Sequence, residues 1–165
     1  MNLWESFDKN EISIIIMIAI AYAVIFLLPK KFTADITLLF LLFGFTIGVL
    51  HDFTIGGGLI DFYRLNNSHS YEIFDFLYYL LFAPFSYLFI YFYEVFRIHK
   101  ITFIWYIIAW ALIGVGMQSL FIWMDIIHFQ NGYELHFSFP VFLMTQTITA
   151  LYYEIVSSRF KVFKE

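Results

Sequence analysis

"ISIIIMIAIAYAVIFLL", residues 12 to 28, carries no charged side chain. Wound as a helix at 1.5 Å per residue it covers roughly 26 Å, close to the ~30 Å apolar layer of a bilayer. Pro29, Lys30 and Lys31 end the run. A cleaved signal peptide needs a positive head and a small-residue cleavage site after a short apolar core. Here Glu5, Asp8 and Glu11 outnumber Lys9 ahead of the run, so it is read as a retained span.

The rest of the chain agrees. Of its 165 residues 62% are hydrophobic, 24% aromatic and 13% charged, against about 45–50% apolar and about 25% charged in ordinary soluble domains. A soluble chain of this size would be left with large apolar patches, so lipid must be the solvent for much of it. Further apolar runs predict an all-α membrane protein. Five transmembrane helices are expected, at about 12–28, 36–50, 73–95, 101–124 and 137–156, with a polar loop over 51–72. Residues 1–165 form a single integral membrane domain on this reading. The runs are continuous rather than alternating, which excludes barrel strands.

Basic residues set the orientation, because cytoplasmic loops retain Lys and Arg. Lys30, Lys31, Arg97, Lys100, Arg159, Lys161 and Lys164 fall on one side, and only Lys9 and Arg64 on the other. The N-terminus is expected outside and the C-terminus in the cytoplasm of a bacterial cell membrane. His51, Asp52, Asp61, His69, Glu72, Asp75, Asp125, His128, Glu134 and His136 then gather at the outer ends of the spans.

No Lys, Arg, His, Asp or Glu lies near the centre of a span, which disfavours an ion pump. Thr46, Ser86, Gln118, Ser119, Thr145, Gln146 and Thr147 are the milder polar groups there, read as interhelical hydrogen-bonding residues. Gly44 and Gly48 form a GxxxG step, and Gly114 and Gly116 thin the fourth helix; all four are assigned to close helix packing. Pro84 falls inside the third span. Pro140 follows Ser138 at the start of the fifth, where a missing N–H costs nothing and Ser138 is placed to cap. With no cysteine, thiolate catalysis, disulfides and Cys-bound metals are excluded.

The remaining chemistry lies at the outer rim. Candidate site residues are His51, Asp52, Asp61, Asp75, Asp125, His128 and His136. If the fourth helix continues past Met124, Asp125 and His128 share a face. His51, Asp52, Asp125 and His128 are the candidate ligands should a Zn²⁺ or Mn²⁺ bind, although no ligand spacing assigns one and no cofactor is expected. Asp75, at the start of the third span, is expected to anchor the loop by accepting hydrogen bonds or pairing with Arg64. The alternative to a metal site in the His and carboxylate cluster is an acidic, solvated headgroup-level rim with hydrogen bonds to Tyr63, Tyr71 and Tyr133.

Residues 54–96, "TIGGGLIDFYRLNNSHSYEIFDFLYYLLFAPFSYLFIYFYEVF", resemble the most recognisable part of an uncharacterised family of small multi-span membrane proteins from Gram-positive, spore-forming bacteria. Asp61 and Tyr63 match an Asp-x-Tyr element, Tyr71, Phe74 and Asp75 a Tyr then Phe-Asp element, and Ala83 to Tyr87 its "APFSY". The resemblance implies several membrane helices and no particular activity or catalytic residue. The leading expectation is a non-catalytic accessory or interaction protein of the cell membrane. Its alternatives are a rim enzyme or metal-binding sensor, and a carrier of an apolar or lipid-like molecule. Expected partners are membrane lipid, with another membrane protein or a parallel homo-oligomer, and not nucleic acid.

Overall fold

The computed structural model describes residues 8–65, 73–160, 162 and 163. Among them are five α-helices: α1 (Lys9–Leu27), α2 (Ala34–Thr54), α3 (Ile73–Val95), α4 (Lys100–Trp123) and α5 (Ser138–Arg159). Two three-residue strands, β1 (Tyr63–Leu65) and β2 (Ile127–Phe129), lie in the α2–α3 and α4–α5 connections. The first four helices are long and apolar enough to cross a membrane. α5 is as long, but Thr145, Gln146, Thr147, Thr149 and Glu154 lower its apolar content.

Local chemistry sets the helix starts. The Asp8 amide donates to Glu11 Oε2 at 2.8 Å, filling an orphan position of α1. Thr33 Oγ1 accepts from the Ile36 amide at 3.5 Å ahead of α2. His99 precedes α4, its ring Nδ1 2.9 Å from the Thr102 hydroxyl. Ser138 departs from expectation: it opens α5 without capping it, and its hydroxyl meets that of Tyr133 at 2.9 Å.

α3 is the central helix, with Phe74, Leu81, Phe89 and Ile90 almost wholly enclosed. α2 packs along it because Gly44 removes the side chain at the crossing. A β-carbon there would stand 2.6 Å from the Phe82 carbonyl oxygen and 2.7 Å from Ser86 Cβ. At Gly48 it would meet the Phe82 ring at 3.1 Å. The GxxxG step is thus used within the chain, and α3 fills that face. Gly114 lets the Phe142 ring of α5 lie against α4, where an added β-carbon would be 2.9 Å away. Gly116 packs on no neighbour among the described residues: none lies within 4 Å of its would-be β-carbon. Two residues along a helix is more than half a turn, so Gly114 and Gly116 cannot face the same neighbour.

Pro84 sits within α3 and leaves the carbonyl four residues earlier without its amide partner. That carbonyl, of Leu80, receives the Tyr22 hydroxyl of α1 at 3.3 Å, so the proline also supplies a docking point for α1. α4 and α5 form a hairpin. It meets α3 through Tyr106, whose hydroxyl donates to the Phe89 carbonyl, and through Tyr93 and Tyr153, whose rings lie 5.6 Å apart edge to face.

At this end of the bundle two dipeptides interlock: the Tyr93 hydroxyl donates to Glu154 at 2.6 Å and the Tyr153 hydroxyl to Glu94 at 2.8 Å. The α1–α2 turn joins the C-terminal tail there, with the Thr33 amide donating to the Val162 carbonyl at 3.0 Å and Phe32 stacked on Phe163.

The opposite end is capped. β1 and β2 pair antiparallel, Tyr63 opposite Phe129, Arg64 opposite His128 and Leu65 opposite Ile127. The Gln130 amide extends the ladder to the Phe62 carbonyl at 2.8 Å. Asn131 Nδ2 donates to the Asp61 carbonyl at 2.7 Å, and Phe62 stacks on Tyr133. Asp61, Asp125, Asn131 and Gly132 take left-handed conformations, which Asn, Asp and Gly accept at least cost. The glycine triplet serves close approach instead of positive φ. A β-carbon at Gly56 would meet Asp52 Oδ1 at 2.6 Å, and at Gly58 the backbone of Phe53; at Gly57 it would meet nothing.

Candidate functional site

Between the α2–α3 pair and the α4–α5 hairpin, beneath the cap, lies a cavity of about 90 Å³. It has room for several water molecules or a small chemical group, since a liquid water takes about 30 Å³. The pair, the hairpin and the cap all contribute to the wall: His51 from α2, Tyr78 and Phe82 from α3, Trp110 and Gln118 from α4, Phe142 and Thr145 from α5, and Tyr63 and Tyr133 from the cap. The wall is mostly aliphatic and aromatic, with a few converging polar groups, the usual character of a small-molecule pocket.

His51 lies in the last turn of α2, which runs past the expected end at Leu50. Its Nε2 is 3.0 Å from the Thr145 hydroxyl oxygen. The single hydroxyl hydrogen of Thr145 goes to the Val141 carbonyl at 3.0 Å, so the threonine oxygen accepts and His51 Nε2 carries the hydrogen. The ring is held edge-on between Phe82 and Phe142. Gln118 is 7% exposed, and its Oε1 has no hydrogen-bond partner among the described residues. A buried carbonyl left in that state costs about 1–3 kcal/mol. Burial pushes the Tyr63 phenol well above its ordinary range, so it is a neutral hydroxyl at physiological pH.

The residues singled out in the sequence separate. Asp52 also belongs to α2 and not to the loop; it is 3% exposed and accepts the Tyr79 hydroxyl at 2.5 Å on α3, away from the cavity. α4 stops at Trp123, so Asp125 and His128 share no helix face. Asp125 is exposed in a left-handed turn, and His128, on β2, contacts its backbone carbonyl at 3.1 Å and not its carboxylate. The cap needs this break, because a continued helix would carry Ile127 and Phe129 away from β1.

Asp61 binds Asn131 and lies 3.9 Å from the Arg64 guanidinium. His136 is exposed, 3.3 Å from Glu134. Asp75 is buried at the start of α3. His69, Tyr71 and Glu72 lie outside the described residues. Among the described residues no three His, Asp or Glu side chains gather as a metal ion requires.

The mid-helix hydroxyls behave differently from expectation. Thr46 and Thr147 donate to carbonyls four residues back in their own helices, at 2.8 and 2.7 Å, and the buried Ser86 Oγ has no partner among the described residues. Among the described residues only Thr145 of this group also bridges helices, to His51. Sequence reading missed the convergence of His51, Gln118 and Thr145; Gln118 and Thr145 were visible as polar residues in apolar runs, but periodicity within one helix does not reveal which helices adjoin. Comparison with protein families, with curated proteins and with solved structures finds no match for this chain.

Proposed function

We propose that this chain is a multi-pass protein of a bacterial cytoplasmic membrane that holds an apolar or lipid-like molecule in the cavity beneath its cap. The carrying observation is the cavity itself, apolar in most of its wall and provided with His51, Thr145 and the unpartnered Gln118 carbonyl. The accessory role that leads among the sequence expectations has no comparable feature to rest on among the described residues. Five spans, an external N-terminus and a cytoplasmic C-terminus belong to this reading. α5 supports the fifth span: Met144, Ile148, Leu151 and Ile155 are exposed at helical spacing, while Thr145 and Thr149 turn inward.

Extraction and mass spectrometry of small molecules retained by the purified protein test the proposal. Wild type retains an amphipathic molecule in stoichiometric amount; Thr145→Phe, which fills the cavity, loses it. Equal retention by a folded Thr145→Phe protein refutes the site.

A further inference from the structure

We infer that the cavity selects an uncharged amphiphile whose head donates a hydrogen bond, an aliphatic alcohol in chemical class. The inference rests on the binding reading above and adds the head chemistry. Two observations carry it. First, among the described residues the wall contains no Lys, Arg, Asp or Glu. An anionic head, whether carboxylate or phosphate, would be stripped of water with no cation to receive it, and an ammonium would meet no carboxylate; either cost is far larger than that of burying a neutral hydroxyl. Second, the group without a partner is an acceptor: Gln118 Oε1 is buried on the wall and lacks a donor among the described residues.

Two neighbouring polar groups of the wall already have partners. The Thr145 hydrogen goes to Val141 and its oxygen accepts from His51, while the Tyr133 and Ser138 hydroxyls share one hydrogen bond. A ligand hydroxyl would give the buried Gln118 Oε1 the donor it lacks. Phe82, Phe85, Phe142 and Met117 are left to hold the first carbons of its chain.

Trp110 lies in the wall and reports occupancy, because a brominated chain quenches an adjacent indole. The probes are 11-bromoundecanol, its methyl ether, 11-bromoundecanoate and 11-bromoundecylammonium, titrated onto the protein in lipid nanodiscs. Trp110→Phe defines the quenching that belongs to the other tryptophans. The alcohol is expected to bind about tenfold more tightly than the ether, the effect of one neutral hydrogen bond at a buried acceptor. Both ions should bind more weakly still. In Gln118→Leu the alcohol and ether should converge to within about twofold while the ether retains its affinity.

Equal binding of alcohol and ether to wild type, or tighter binding of either ion, overturns the head assignment and leaves the binding reading standing. Absence of Trp110-specific quenching by every probe overturns both. Displacement of bromoundecanol by dioleoylglycerol in the nanodisc identifies a membrane lipid alcohol as the source; persistence of bromoundecanol identifies a free alcohol.

Discussion

Replacing Gly44 by alanine tests whether α2 and α3 are held by backbone contact, and Gly48→Ala is its internal control. Both substitutions add one methyl group to the interior of the same helix, and both gain the same helix propensity, about 1 kcal/mol. Their surroundings differ. At Gly44 the new carbon is 2.6 Å from the Phe82 carbonyl oxygen and 3.0 Å from Ala83 Cα. That is about 0.8 Å inside ordinary van der Waals contact, against atoms that move only if a helix moves.

At Gly48 the nearest atoms belong to the Phe82 ring, at 3.1 Å, and a small rotation of that ring relieves the contact. Overpacking against unyielding neighbours costs about 1–3 kcal/mol, so Gly44→Ala should be about 2 kcal/mol less stable than Gly48→Ala. Near the unfolding midpoint of a chain this size, that difference is roughly 4–8 °C. Loss of helical circular dichroism on heating in a mild detergent measures it, with both variants carried in parallel. Midpoints that coincide, or Gly44→Ala as the more stable of the two, would refute the packing argument. Gly48→Leu, whose branched chain outgrows what the ring can yield, should then fall on the destabilised side.

Gln118→Leu should raise the stability of the ligand-free protein by about 1–3 kcal/mol, since the buried carbonyl disappears; an unchanged unfolding midpoint would show that the group already has a partner. Tyr79→Phe removes the hydroxyl given to Asp52 and should destabilise the α2–α3 pair by about 1.5–3 kcal/mol, more than Gly116→Leu, which meets open space and should be nearly neutral, as paired denaturation curves would show. For orientation, a cysteine at exposed Glu134 should react with an impermeant maleimide added outside intact cells, and a reporter fused after Glu165 should be active only in its cytoplasmic form. The reverse pattern overturns the assignment of sides. Asn131→Ala, which removes the hydrogen bond to Asp61, should increase protease cleavage within residues 56–65 in right-side-out vesicles; equal cleavage would place the strength of the cap in the β1–β2 ladder alone.

Much of the architecture is local and could be read directly. A run such as residues 12–28 must be helical in lipid because no other arrangement satisfies its amides, and Pro29 with two lysines must end it. The same logic located α3, α4 and the long polar connection after α2. Gly44 and Gly48 were legible as contact residues because a missing side chain has one common use in an apolar helix. Their partner was not, since nothing in α2 names α3. Gly116 looks identical to Gly114 in the chain and differs only in the direction it faces.

The candidate site was decided wholly in three dimensions. His51 and Asp52 are neighbours in sequence, yet about 100° of helical rotation sends one into the cavity toward Thr145 and the other to Tyr79. The left-handed turn at Asp125 redirects the chain just past the end of α4, and so brings β2 onto β1 and closes the cap over the cavity. Sequence determines which residues avoid water because that preference belongs to each side chain alone. Which polar groups converge depends on how separate helices cross, and that is a property only of the packed chain.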